Sequence, residues 1–282
     1  MVVAVTGIDG FIGKKLQLVL LAAGYNIIPI GKKYGHDITD KESLSGIPSF
    51  DIMIHLAAVS FVPDSYKNPE LFYRTNVGGT GLVLELVRKF NARMVYISSY
   101  IYGIPVYQPI DEAHPVQPFN PYAQSKWMAE ELCTAYNRDF KIPVTILRPF
   151  NIYSEGQAEH FLLPDMIRQV KTSAIVTVND TRPRRDYVHT DDVAAAISKA
   201  VLLNNQDTVT INIGSGISSS PADICSLLED ITGQSVQLVN RNQSRENEIM
   251  DTVCNNSLAK KILNWSPQIT LQEGLKKMYE LA

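Results

Sequence analysis

The stretch Thr6-Gly7-Ile8-Asp9-Gly10-Phe11-Ile12-Gly13 limits what this chain can fold into more than any other part of it. An apolar run, Val2 to Val5, precedes it, and Ile12, Leu16, Val19, Leu20 and Ala23 follow at helical spacing. A strand, a glycine-rich turn and an amphipathic helix gather exposed backbone N–H groups and the positive end of a helix dipole at one spot. Such a spot suits a pyrophosphate. Gly7 then permits the tight turn, Gly10 lets a phosphate approach the backbone, and Gly13 lets helix and strand pack closely.

Further along, short β-rich runs alternate with helical patterns: 26–30 (NIIPI), 51–56 (DIMIHL), 93–98 (RMVYIS) and 144–148 (VTILR). Between them, 82–90 and 122–136 carry apolar residues three and four apart. Alternation of this kind predicts parallel strands joined by helical crossovers, covered on both faces. Beyond about Pro149 the texture changes. Loops rich in Gly, Ser and Asn separate smaller elements at 174–178, 185–189, 209–213 and 235–239. We therefore expect an α/β chain divided into a dinucleotide-binding domain over 1–149 and a mainly substrate-binding lobe over 150–282, some segments of which return to the first domain.

Of the 282 residues 45% are hydrophobic, enough for a sizeable core, and the net charge of −3 without a dense basic run speaks against nucleic acid as partner. No apolar stretch reaches the roughly 18 residues a membrane span needs, and the chain enters a strand without a charged and then apolar leader. A cytoplasmic protein with no membrane partner is expected. Cys133, Cys225 and Cys254 are widely separated and lack CxxC spacing, so neither a disulfide framework nor a zinc site is expected. His189, Asp191 and Asp192 do not form a metal motif; the two aspartates read as first-turn residues of a helix over 191–203, and no metal is assigned.

Tyr122 and Lys126 stand one helical turn apart on the same face. A free phenol, with a pKa of about 10, is a poor base at neutral pH, and a nearby ammonium or an oxidised nicotinamide favours its ionised form. Ser98 ends a strand at the carboxyl edge of the sheet, where open α/β sheets bind ligands. A chain of this composition holds about one YxxxK by chance, and here its only one follows the strand of SSYIYG (98–103).

Together, TGIDGFIG, DIT (37–39), HLAA (55–58), NVGGT (76–80), SSYIYG, YAQSK (122–126), RPFNIY (148–153), RDYVHTDDVA (185–194) and KKILNWSPQITLQEGL (260–275) resemble the extended short-chain dehydrogenase/reductases. More narrowly, they resemble the NAD-dependent epimerase/dehydratase family acting on nucleotide sugars. The resemblance runs nearly the whole chain. It implies a Rossmann-type doubly wound parallel sheet, a homodimer through the helices around 72–90 and 120–138, and a catalytic Ser98, Tyr122 and Lys126, with Ser99 the alternative hydroxyl. It places a dinucleotide against Gly7, Ile8, Asp9, Gly10, Phe11, Ile12, Gly13, Lys32, Asp37, Ile38, Leu56, Ala57, Ala58, Asn76 and Pro149, as well as Tyr122 and Lys126.

Many relatives that bind NAD end their second strand with Asp or Glu, whereas this one runs into Ile30, Gly31, Lys32 and Lys33. Loss of the acid and gain of cations tilts the expectation from NAD to NADP. Arg185 and Arg245 match positions that grip a nucleotide diphosphate, although NRNQSRENEIMD departs from the usual pattern around Arg245. Ser60, Phe61, Val62, Ser99, Tyr100 and Asn151 match sugar-side positions; Tyr100 is equally consistent with an aromatic packing under a loop. Ser99 and Tyr100 stand where dehydratases of the family carry Asp-Glu, which points away from dehydration. The expected activity is an NAD(P)-dependent reduction of a 4-keto-6-deoxy nucleotide sugar. A 4-epimerase with tightly held NAD, an oxidoreductase for another small carbonyl compound, and a non-catalytic dinucleotide sensor are the alternatives.

Overall fold

The computed structural model describes residues 1–244 and 247–282. The first apolar run is strand β1 (Val2–Thr6), and the glycine turn leads into helix α1 (Phe11–Ala22). Strands β2 (Asn26–Ile30), β3 (Ile52–His55), β4 (Arg93–Ile97) and β5 (Val144–Pro149) follow. Helices α2 (Val62–Lys67), α3 (Pro69–Phe72) and α4 (Gly79–Lys89) lie between β3 and β4, and α5 (Pro121–Phe140) between β4 and β5. A π-helical turn, Tyr73–Gly78, joins α3 to α4. The remainder comprises β6 (Asn151–Tyr153), α6 (Leu162–Ser173), β7 (Ile175–Val178), β8 (Arg185–His189), α7 (Thr190–Val201), β9 (Val209–Ile213), β10 (Ser218–Ser219), α8 (Pro221–Thr232), β11 (Gln237–Asn240), α9 (Ser257–Leu263) and α10 (Leu271–Leu281).

Six strands form one parallel sheet in the order β2-β1-β3-β4-β5-β9. Pro29, paired with Val5, is tolerated because β2 is an edge strand whose outer side needs no N–H donor. Side chains alternate across the sheet as a period of two requires. Val3, Val5, Ile52, Ile54, Val95, Ile97 and Leu147 enter the core beneath α1, α7 and α9. Ala4, Met53, Met94, Tyr96, Val144 and Ile146 enter the opposite core beneath α4 and α5. Each fully buried Val, Ile or Leu contributes roughly 1.5–3 kcal/mol, and this two-sided burial is what allows nearly uninterrupted apolar strands.

Smaller sheets complete the fold. Strands β10, β8 and β6 form one, β11 and β7 a parallel pair, and α6, α8 and α10 share a third core with them. The short β6 and β10 were not foreseen, since two or three residues carry no readable periodicity.

Because β1, β3, β4 and β5 are parallel, the turns that leave them meet at one edge. Gly7 has φ +71°, which favours glycine, and a Cβ there would lie 2.8 Å from the Ala57 nitrogen. At Gly13 a Cβ would sit 2.4 Å from the carbonyl oxygens of Gly7 and Ile8. The third glycine is thus required by the carbonyls of its own turn, where packing of helix on strand was expected. Gly13→Ala should destabilise the protein by roughly 1–3 kcal/mol, read as a lower urea midpoint with an unchanged m-value.

Candidate active site

Helix α1 begins without a side-chain cap on Gly10 and with no acidic residue in its first turn. Its leading N–H groups and the dipole's positive end are therefore left to an external anion. Ile8 buries its side chain in the core, so only its backbone belongs to this turn, whereas Asp9 and Gly10 are exposed. Close contact between Gly7 and Ala57 brings the loop from Leu56 to Ala58 beside it. An uncapped helix start, a cradle that a Cβ would fill and a second loop within contact fit a dinucleotide's pyrophosphate.

A buried chain of hydrogen bonds ties these loops together. Thr80 donates to the Asn76 carbonyl at 2.6 Å, so its oxygen accepts from His55 Nε2 at 3.0 Å. Nδ1 of His55 then accepts from the Thr6 hydroxyl at 2.6 Å, and Thr6 accepts from the Ala57 N–H at 3.1 Å. Burial, with Lys126 adding to it, pushes His55 down to about 3, so the ring stays neutral. Asn76, expected to touch the dinucleotide, is instead consumed within the protein. Its amide donates to the Val59 carbonyl and the Ser125 hydroxyl and accepts from the Val59 N–H. It shapes the loop rather than lining it.

At the end of β2, Lys32 pairs with Asp37 at 3.1 Å while remaining 83% exposed, and Lys33 pairs with Asp9 at 3.2 Å. Tyr34 donates to the same Asp9 carboxylate at 3.1 Å. Asp37 is held below the ordinary carboxylate range by hydrogen bonds from the Thr39 backbone and hydroxyl, then by Lys32. Ile38 is buried and lies against Gly79, where a Cβ would meet its side chain at 2.8 Å.

Asn120 caps α5 by accepting from the Ala123 N–H at 2.8 Å, and Pro121 occupies the first turn, so Tyr122 starts the helix at the sheet edge. One turn later Lys126 is almost wholly buried. Its ammonium donates to the Ile97 carbonyl at 2.6 Å and lies 4.3 Å from the centre of the Tyr96 ring. Burial pushes Lys126 down to about 7 against the opposing pull of Glu130. Burial raises the Tyr122 phenol, and the neighbouring Ser99 hydroxyl lowers it. The phenol ring packs edge-on against Phe72 at 6.3 Å. Ser98, bound through its N–H to the Leu147 carbonyl at 2.8 Å, keeps a buried hydroxyl with no hydrogen-bond partner among the described residues. Pro149, at the end of β5, is buried in the same edge.

In the second part of the chain, Arg185 of β8 donates to the carbonyls of Arg184 and Ile249 and pairs with Glu248. Asn151 donates to the Asp186 carbonyl at 3.1 Å, tying β6 to β8. Tyr100 donates to the Gly103 carbonyl at 2.7 Å and packs against Tyr102 and Phe150, so its ring lies under the loop. Burial raises its phenol, with Arg185 opposing. Ser60 is exposed beside Phe61, whose ring meets His160 at 4.1 Å and Phe161 at 5.9 Å across the two parts of the chain. Arg245 lies outside the described residues. His189 caps α7 by accepting from the Asp191 N–H at 3.2 Å.

Two buried residues of the site region were not expected from the sequence: His55, within HLAA, and Glu130, which follows Lys126 by four residues on the same helix. The period of two in β3 and the spacing of four in α5 were the available signals. No helix among the described residues is long and apolar enough to cross a membrane.

The model of the NAD dependent epimerase/dehydratase family matches residues 3–214. GDP-6-deoxy-D-mannose reductase of Pseudomonas aeruginosa is 30% identical, the match covering 96% of this chain and 94% of that one. Among solved structures, RMD from Pseudomonas aeruginosa complexed with NADPH superposes with a TM-score of 0.92 at 28% identity, over 99% of this chain and 97% of that one. The UDP-glucose 4-epimerase of Thermotoga maritima with UDP-glucose gives 0.91 at 27% identity, over 100% and 98%.

A pH effect follows from His55. The unfolded imidazole binds a proton near 6.5 and the folded one only near 3. Between those values the unfolded chain holds more protons, so stability falls as pH falls from 6.5. Urea unfolding at pH 7, 6 and 5 should show the wild type losing stability faster than His55→Asn. Parallel loss in both proteins would contradict the neutral-ring assignment.

Proposed function

Because the chain belongs to the NAD dependent epimerase/dehydratase family, we propose that it is an enzyme that reduces the 4-keto group of a nucleotide-linked 6-deoxy sugar, using NADPH. The reading is carried by one arrangement: Lys126 fixed on the last carbonyl of β4, Tyr122 one turn before it, and next along the chain the Ser98 hydroxyl, buried and without a partner among the described residues.

The dinucleotide, when bound, supplies the hydride. Tyr122 gives its phenol proton to the ketone oxygen, which becomes the product hydroxyl, and is afterwards reprotonated. Lys126 stabilises the ionised phenol left behind. Ser98 donates a hydrogen bond to the reacting oxygen and orients it. Ser99, beside the phenol, tunes it. Arg185 offers a planar fork to the diphosphate by exchanging its contact with Glu248, and the sugar lies between Ser60 and Asn151. Arg245 completes the grip in this reading. Domain roles follow: 1–149 holds the dinucleotide and 150–282 mainly the sugar nucleotide.

NADPH is favoured by the end of β2, which has no terminal acid, and by Lys32, whose exposed pair with Asp37 is weak enough to yield to a 2′-phosphate. One observation favours a second reading, the 4-epimerase with retained NAD. Asp9 places a carboxylate beside Lys33 and Tyr34 at the end of β2, in reach of where a ribose diol would lie. We also propose that two copies pair through the helices around 72–90 and 120–138, where Met128 is exposed.

In a panel of nucleotide sugars and their 4-keto-6-deoxy derivatives, the ketones should consume NADPH stoichiometrically, whereas isomer formation from the parent sugars without net consumption would establish the epimerase. Tyr122→Phe should lower turnover by about two to four orders of magnitude with cofactor affinity nearly intact. Wild-type turnover in that variant would refute the acid assignment. Arg185→Ala should raise KM for the sugar nucleotide roughly tenfold or more and leave that for NADPH unchanged.

A further inference from the structure

Behind Tyr122 and Lys126 lies a buried charge system that the proposed chemistry does not use. Glu130 follows Lys126 by one helical turn on the face of α5 that meets the sheet, and both side chains are almost fully buried. From the end of β5, Arg148 holds the Glu130 carboxylate by a fork: Nε lies 3.0 and 3.2 Å from its two oxygens and one terminal nitrogen 2.6 Å from Oε2. The other terminal nitrogen donates to the Tyr102 hydroxyl at 2.9 Å, which donates in turn to Asn212 of β9 at 2.6 Å. The carboxylate therefore cannot swing away.

Glu130 thus stands one helical turn from Lys126 and in the grip of Arg148, all three in a dry interior. An isolated buried ammonium is costly, and neither the Ile97 carbonyl nor the Tyr96 ring carries a net charge. The groups that face Lys126 are few. On α5 they are Tyr122, Glu130 and Cys133; on β4 the Tyr96 ring and the Ile97 carbonyl; on β3 His55. Burial keeps the Cys133 thiol and the Tyr96 phenol protonated, and His55 is neutral. Among the described residues Glu130 is the one carboxylate in that set.

We propose that Glu130, clamped by Arg148, is a positioning residue that serves as the counter-ion of Lys126 and so sets how readily the ammonium keeps its proton. It never touches the substrate. Its influence reaches the reacting oxygen through Lys126 and Tyr122, which rests on the catalytic reading of those two residues; its effect on Lys126 itself does not.

The direct test needs no cofactor and no turnover. Lysine side chains are labelled with 13C in the cofactor-free protein and titrated by NMR, the Lys126 resonance being identified by its loss in Lys126→Met. The wild-type midpoint is expected near 7. Glu130→Gln removes the anion and keeps the shape, and the midpoint should fall by about one pH unit or more. Arg148→Met removes the competing cation and leaves Lys126 as the nearest partner of the carboxylate, so the midpoint should rise. Opposite shifts would establish the counter-ion role, since a strut that merely holds α5 to β5 gives no reason for opposite signs. Where one variant does not fold, the other carries the test. An unmoved midpoint in Glu130→Gln, or an unmoved or lowered one in Arg148→Met, overturns the proposal. The catalytic reading fails separately, by the behaviour of Tyr122→Phe.

Discussion

Lys126 places a potentially charged amine where water does not reach, against the carbonyl of Ile97 and the face of Tyr96. Desolvation works against its charge, and the surroundings answer with a carbonyl, a ring and a carboxylate, each from a fixed element. Satisfying that one group locks α5 against β4 in register and angle. The start of α5 is thereby held at the carboxyl edge of the sheet, and Tyr122 with it. Capping by Asn120 and the rigid Pro121 fix the last degree of freedom, where the helix begins.

A second polar thread, equally buried, does for the dinucleotide side what Lys126 does for the chemical side. Thr6, His55, Thr80 and Asn76 link the end of β1, the end of β3 and the π-helical turn before α4. Every donor and acceptor in the thread has one consistent role, which leaves a single tautomer for the ring. A π-helical turn widens the helix by one residue, and here it carries Asn76 into reach of both Val59 and Ser125. Ser125 in turn donates to the Tyr122 backbone carbonyl at 2.7 Å, so Asn76 links the end of β1 to the first turn of α5.

The substrate side is assembled less tightly. Arg185 rests on Glu248 and two carbonyls, contacts that a diphosphate can replace with stronger charge-assisted bonds. What keeps β8 in place is its neighbour Asp186, fully buried, which accepts from the N–H groups of Ser215, Gly216 and Cys254. Burial raises that carboxyl and the hydrogen bonds pull it down, so its cost is offset locally. Rigid support beneath an exchangeable arginine fits the proposed reading, in which a sugar nucleotide is bound and released on each cycle.

Local sequence was enough to read the sheet strands, the glycine turn, the Tyr122 and Lys126 pair, and the helices that carry them. Each rests on a short-range period or a residue with one conformational use: apolar runs for strands buried on both faces, spacings of three and four for helices, and a positive φ at Gly7. Contacts between residues far apart in the chain left no such trace. Nothing near Asn76 announces that its amide is spent on Val59 and Ser125, and nothing near Glu130 that Arg148 waits at the end of another strand. Those pairings depend on how the crossovers stack helices on a twisted sheet. That is a property of the packed chain as a whole, and so only the tertiary structure decided which polar groups are used up inside and which remain for a ligand.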